Sequence, residues 1–160
     1  MNRERRKDIF EAVGLAAIVG SLLFLALEVR QANLSTRIAA RDQVTQGVID
    51  QLGDIIDPQV LSVAYQKSGT DEALTDLEED QLNIYFLRRL WNFERIYYLY
   101  RADVVSDQEW RGFEKALKNS LDESGSDSFW SRNQRAWRTA RRFMSEEFVE
   151  YVDSEVYLVE

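Results

Sequence analysis

The chain has 160 residues, enough for one ordinary domain with its own core, and 12% of it is aromatic. It contains no Cys and no His, which excludes disulfides, thiolate metal sites, a Cys nucleophile and the usual general base. Net charge is −8; the first eight residues carry +2, so the rest carries −10, and an acidic body of that kind argues against nucleic acid as a partner.

Proline occurs once and glycine seven times. Such a scarcity of breakers favours long helices over a many-stranded sheet. The fold class read from the sequence is all-α, with an N-terminal transmembrane helix that continues into a long helix and then a compact helical domain. Residues 1–28 form the tail and span, and 29–160 the helical domain, with 29–56 as a juxtamembrane helix and 57–160 as a bundle.

From Ala12 to Leu27 no residue is charged, and from Ile9 to Leu27 only Glu11 is. At 1.5 Å per residue the longer stretch rises about 28 Å, close to the thickness of bilayer hydrocarbon. A cleaved signal peptide fits less well, because Glu28 and Val29 follow directly and no small-x-small site precedes them. A buried core helix is the third reading. Arg3, Arg5, Arg6 and Lys7 precede the span, and Arg30, Arg37 and Arg41 follow it. That small bias points to a cytoplasmic N-terminus.

Ala12, Ala16 and Gly20 recur at i, i+4, i+8, with Ala17 and Ser21 beside them. Small-xxx-small ridges let helix backbones approach closely in lipid, so self-association is one reading; the other is that small residues are common in spans. Glu11 reads as a solvated end of the span that reaches the interface, or as one member of a carboxylate ring in an oligomer.

One continuous helix is expected from about residue 5 to about residue 56, with Gly47 and Gly53 as places where it could bend. Leu34, Ile38, Val48, Leu52, Ile55 and Ile56 keep an apolar stripe, and Asp57-Pro58 ends it. A short helix from Pro58 to about Lys67 follows. Thr75 and Glu78 form a capping box that opens a long helix to about Arg101, apolar on nearly all faces and expected to be the most buried. Ser106 and Glu109 form a second box, and the helix after it presents Trp110, Phe113, Leu117 and Leu121 on one face. A loop from Asp122 to Ser126 leads into a helix from about Asp127 to Met144, with Phe129, Trp130, Asn133, Ala136, Trp137 and Ala140 inward. A last short helix starts at Ser145.

Three constellations bear on function. Arg132, Arg135, Arg138, Arg141 and Arg142 recur along one helix. They suit an anionic-lipid or phosphate face, or they balance acidic residues 78–80 and the acidic stretch after Ser145; the second is the commoner arrangement. Glu94 sits among Leu90, Phe93, Tyr97 and Tyr98, where a carboxylate needs a partner; Arg88, Arg89, Arg95 or a Tyr hydroxyl could supply it. A buried ion pair is the commoner outcome, and a proton-carrying carboxylate the sharper one. Asp50 and Asp54 share a helix face without a metal-loop pattern, so no metal ligand set is read. No phosphate-cradling loop or nucleophile motif occurs, so no cofactor and no catalytic residue is assigned.

Leu27-Glu28-Val29-Arg30-Gln31-Ala32-Asn33 after the hydrophobic helix, and Phe93-Glu94-Arg95-Ile96-Tyr97-Tyr98-Leu99-Tyr100-Arg101, resemble a broad group of uncharacterised bacterial single-span membrane proteins. The helix from Ser106 to Trp110, the Trp-containing helix ending near Arg142 and the Ser145 to Asp153 stretch also fit. The resemblance implies a membrane-anchored helical domain and no particular activity, and the expected location is a bacterial inner membrane, crossed once. The expected function is a non-enzymatic interaction or scaffold protein, in contact with membrane lipid and homo-oligomeric, whose protein partner the sequence does not identify. The alternative is an oligomeric pore, for which this span offers little polar lining beyond Ser21. A carboxylate-based hydrolase is the third reading.

Overall fold

A computed structural model of the chain describes the backbone of residues 3–70, 72–121 and 127–156 and the side chains of residues 13–70, 72–121 and 134–156. The side chains of Glu11, Ala12, Phe129, Trp130, Arg132 and Asn133, and the loop at 122–126, lie outside the described residues. Among the described residues every element is helical.

The first helix, α1, runs unbroken over Arg3–Asp54. No proline interrupts it, and the hydroxyls of Ser21 and Thr36 donate to the carbonyls of Ala17 and Ala32 at 2.8 and 2.9 Å. Each polar side chain is thereby satisfied within the helix. From Val13 onward α1 is long and apolar enough, by length and composition, to cross a membrane. The chain divides into two compact units, one ending at Arg41 and one starting at Asp42. In the first, the nine large apolar side chains from Val13 to Leu27 are all 48–65% exposed.

The second unit takes in the last turns of α1 and five further helices. Asp57 caps α2 (Pro58–Ser68): its carboxylate accepts the amides of Gln59 and Val60, and Pro58 occupies the first turn, where a missing N–H costs nothing. Thr75 and Glu78 form the expected capping box at the start of α3 (Asp76–Arg101). Lys67, at the end of α2, donates to both oxygens of Glu78 at 2.7 and 3.0 Å, which holds the Glu78 carboxyl below the usual range. That pairing joins two helices through one carboxylate.

The chain leaves α3 through Asp103, whose φ of 59° lies in the left-handed region that Asp tolerates better than most residues. Ser106 and Glu109 then form the second box ahead of α4 (Asp107–Leu121). Trp110, Leu117 and Leu121 are buried, but Phe113 is 39% exposed, contrary to its expected place on the inner face. At 100° per residue Phe113 lies at one margin of that stripe. Glu114 lies toward the other margin and reaches Tyr151, whose hydroxyl donates to it at 2.8 Å.

Helix α5 spans Asp127–Ala140 and stops short of the expected Met144. A 3-10 turn, Arg141–Phe143, follows, with Met144 and Ser145 extended before α6 (Glu146–Tyr151) and a π-helical turn at Val152–Val156. The amide of Ser145 donates to Glu94 on α3 instead of to a helical carbonyl, and this bond holds the chain out of the α5 register. The main core gathers around Phe93, Tyr97, Trp110, Leu117, Trp137 and Phe148. A smaller cluster, Ala64, Leu82 and Phe86, joins α2 to α3.

Candidate functional site

Among the described residues of the apolar stretch of α1, Val13 to Leu27, none is charged, so its chemistry is that of its surface. Ala16 and Gly20 keep their i, i+4 relation on a continuous helix, and a Cβ built on Gly20 meets nothing within 4 Å. The ridge is therefore open along these two positions.

Glu94 is the one carboxylate that the sequence placed in the core, and it is 5% exposed. Its Oε1 accepts the Ser145 amide at 2.8 Å. Two of the cations expected near it are engaged elsewhere. The guanidinium of Arg95 forks onto Asp42 at 2.5 and 3.0 Å, and Arg89 donates to the Ser120 hydroxyl at 2.9 Å. Arg88 lies over the last turns of α1, where its guanidinium occupies the space that a Cβ on Gly53 would fill. A cation at that place complements the helix C-terminus, whose own last turn holds no basic residue.

The arginines separate into distinct environments. Arg135 reaches Glu79 at 3.8 Å between two side chains that face solvent. Arg141 donates to Asp153, whose other oxygen accepts the indole N–H of the fully buried Trp137 at 3.1 Å. Arg138 reaches only the Gln134 carbonyl, at 3.4 Å, and Arg142 makes no ion pair among the described residues. Arg138, Arg141 and Arg142 line an open groove of about 570 Å³ together with Met144, Glu146 and Val149. Beside it Phe143 is 65% exposed. The sequence did not single out Phe143, because a helix running through Met144 gave it no reason to be outside.

Two further surfaces were not read from the sequence. An open groove of about 530 Å³ runs between α2, α3 and the connection that precedes α2, lined by Ile56, Pro58, Leu61, Tyr65, Tyr85 and Arg88. On α3, Tyr97 stacks on Tyr151 at 4.8 Å between ring centres and Tyr100 on Trp110 at 5.1 Å. Burial, with the adjoining Glu114 carboxylate, pushes the Tyr151 hydroxyl far above its usual range, and burial raises Tyr97 as well. These rings fill one another's faces and read as core packing. Asp50 and Asp54 are exposed, and among the described residues no three carboxylates gather as a metal site.

No family model matches the chain, and no curated protein or solved structure is significantly similar to it.

Proposed function

We propose that the protein is a single-pass membrane scaffold: α1 anchors it in a lipid bilayer and associates with a second copy, and the compact helical unit serves as its interaction part. The observation that carries this reading is the row of large apolar side chains from Val13 to Leu27, exposed around the whole helix. Water does not tolerate such a surface, and a helix apolar on every side is covered by lipid or by protein. Lipid suits its length, and its backbone groups are satisfied internally. Self-association is supported by Ala16 and Gly20 on an open ridge, where backbones can approach closely. The proposal includes a cytoplasmic N-terminus in a bacterial inner membrane, on the excess of basic residues before the span and on the resemblance described above.

The test is the mass of the full chain in detergent, with bound detergent subtracted, for the wild type and Gly20→Leu. A defined oligomer that becomes monomeric in the variant is the expected result. A monomer in both cases would overturn self-association, and release from membranes by alkaline carbonate would overturn the anchor.

A further inference from the structure

We propose that the surface formed by Arg138, Arg142 and Phe143 docks on anionic phospholipid. The inference rests on the reading of α1 as a membrane anchor, which keeps lipid phosphates within reach of the folded unit.

The argument begins with charge. The chain as a whole carries −8, so a cationic surface on it is not a consequence of general composition. Three guanidinium groups line the groove against one carboxylate, Glu146. Arg141 is committed to Asp153, which also holds Trp137. That arrangement fixes the start of the 3-10 turn on the core. Arg138 and Arg142 flank this anchored residue, both face solvent, and neither is in an ion pair among the described residues. A guanidinium presents its donors in a planar fork that matches phosphate oxygens.

The second observation is Phe143. Inside one short turn the chain sends Met144 toward the core and leaves Phe143 65% exposed next to Arg142. A lone exposed phenyl needs no explanation by itself. Beside two exposed guanidinium groups that make no ion pair among the described residues it completes the pattern of an interfacial contact, in which cations meet phosphates and an aromatic ring enters the headgroup boundary. A free phosphate would use the arginines and leave the ring without a role.

The chain has no cysteine, so a single nitroxide label can be placed at will. The experiment reconstitutes the full chain carrying Phe143→Cys or Leu22→Cys in vesicles of phosphatidylcholine alone or mixed with phosphatidylglycerol. Accessibility of the label to oxygen and to a water-soluble nickel chelate is then read. Phe143 is exposed, so the substitution spares the core, and the apolar label stands in for the ring. The expected result is a residue-143 label shielded from nickel with phosphatidylglycerol and open to it with phosphatidylcholine alone. Arg138→Gln and Arg142→Gln should each weaken the shielding about fivefold, and salt should weaken it further. A label at 143 that stays in water in both vesicles, while the label at 22 lies in lipid, overturns this proposal and leaves the anchor standing. Equal shielding in both vesicles, or in the double glutamine variant, overturns it too. A label at 22 that is open to nickel overturns the anchor, and the docking surface with it.

Discussion

Glu94 holds the backbone amide of Ser145 at 2.8 Å across 51 residues of sequence. The bond ties the middle of α3 to the N-terminus of α6, at a residue that uses no side-chain cap of its own. Glu94→Leu removes the acceptor and leaves a part-buried N–H facing an apolar side chain, at a cost of about 2 kcal/mol. Glu94→Gln keeps a carbonyl oxygen for the same amide and should lie within about 1 kcal/mol of the wild type. Thermal melting of the two variants checks this order. Equal losses would mean that the charge of Glu94, and not the bond to Ser145, matters.

Local devices were legible in the sequence because all their parts lie within a few residues. Thr75 with Glu78, Ser106 with Glu109, and Asp57 with Pro58 each mark a helix start, and each is found where it was read. Long-range partners left no such mark. Nothing in the spacing says that Arg95 turns to Asp42, that Lys67 completes the Glu78 site, or that Asp153 consumes one arginine of a regular series. The arginine surface was therefore visible as a recurrence, while the division between ion-paired Arg141 and Arg138 and Arg142, which make no ion pair among the described residues, was not. Phe113 and Phe143 fail for a related reason. Apolar type and helical spacing place a residue near a stripe, and neighbouring contacts decide which margin is covered.

Gln81 shows the same limit and gives a second prediction. Its Oε1 accepts the Asp57 amide at 2.6 Å and its Nε2 donates to the Ile55 carbonyl at 3.2 Å, so one buried amide bridges the break between α1 and α2. Gln81→Leu orphans both backbone groups and should cost about 2–3 kcal/mol. Asp57→Ala should cost about 1 kcal/mol, the usual loss for an N-cap. The two residues share a junction, so the double variant should lose less than the sum, measured by denaturant unfolding as a double-mutant cycle. Strict additivity would show that Gln81 and Asp57 act independently.

The two glycines near the end of α1 should respond differently to alanine. Gly47 has open space around its missing Cβ, so Gly47→Ala should stabilise the helix by about 1 kcal/mol. A Cβ on Gly53 would stand 2.9 Å from the Arg88 guanidinium carbon. The side chain can swing away, and it then gives up its place at the helix C-terminus, about 0.5 kcal/mol. Gly53→Ala should therefore gain less than Gly47→Ala in the wild type and gain as much in an Arg88→Ala background. A stability series of the four variants decides it; a Gly53 gain that ignores Arg88 would refute the contact.

The titrating groups bound the pH range of the folded unit on both sides. Glu78, Glu109 and Glu114 have carboxyls held below their ordinary value, first by bonds from Lys67, Ser106 and Lys118 respectively. A depressed carboxyl contributes stability that is full above its unfolded pKa, about 4.3, and is lost as pH falls through the lower folded value. Tyr97 and Tyr151 are raised by burial, and Tyr100 by its bond with Asp107. Their contribution is full below the unfolded value of about 10 and is lost as pH rises through the folded one, because only the unfolded chain ionises early. Stability should thus hold level across neutral pH, fall below about 4 and fall again above about 10. Ultraviolet titration of the folded chain should show a group of tyrosines ionising late, with Tyr151 the last. Glu114→Gln removes the adjoining charge and should bring Tyr151 earlier. Ionisation of Tyr97, Tyr100 and Tyr151 near the ordinary value of about 10 would contradict their surroundings in the fold.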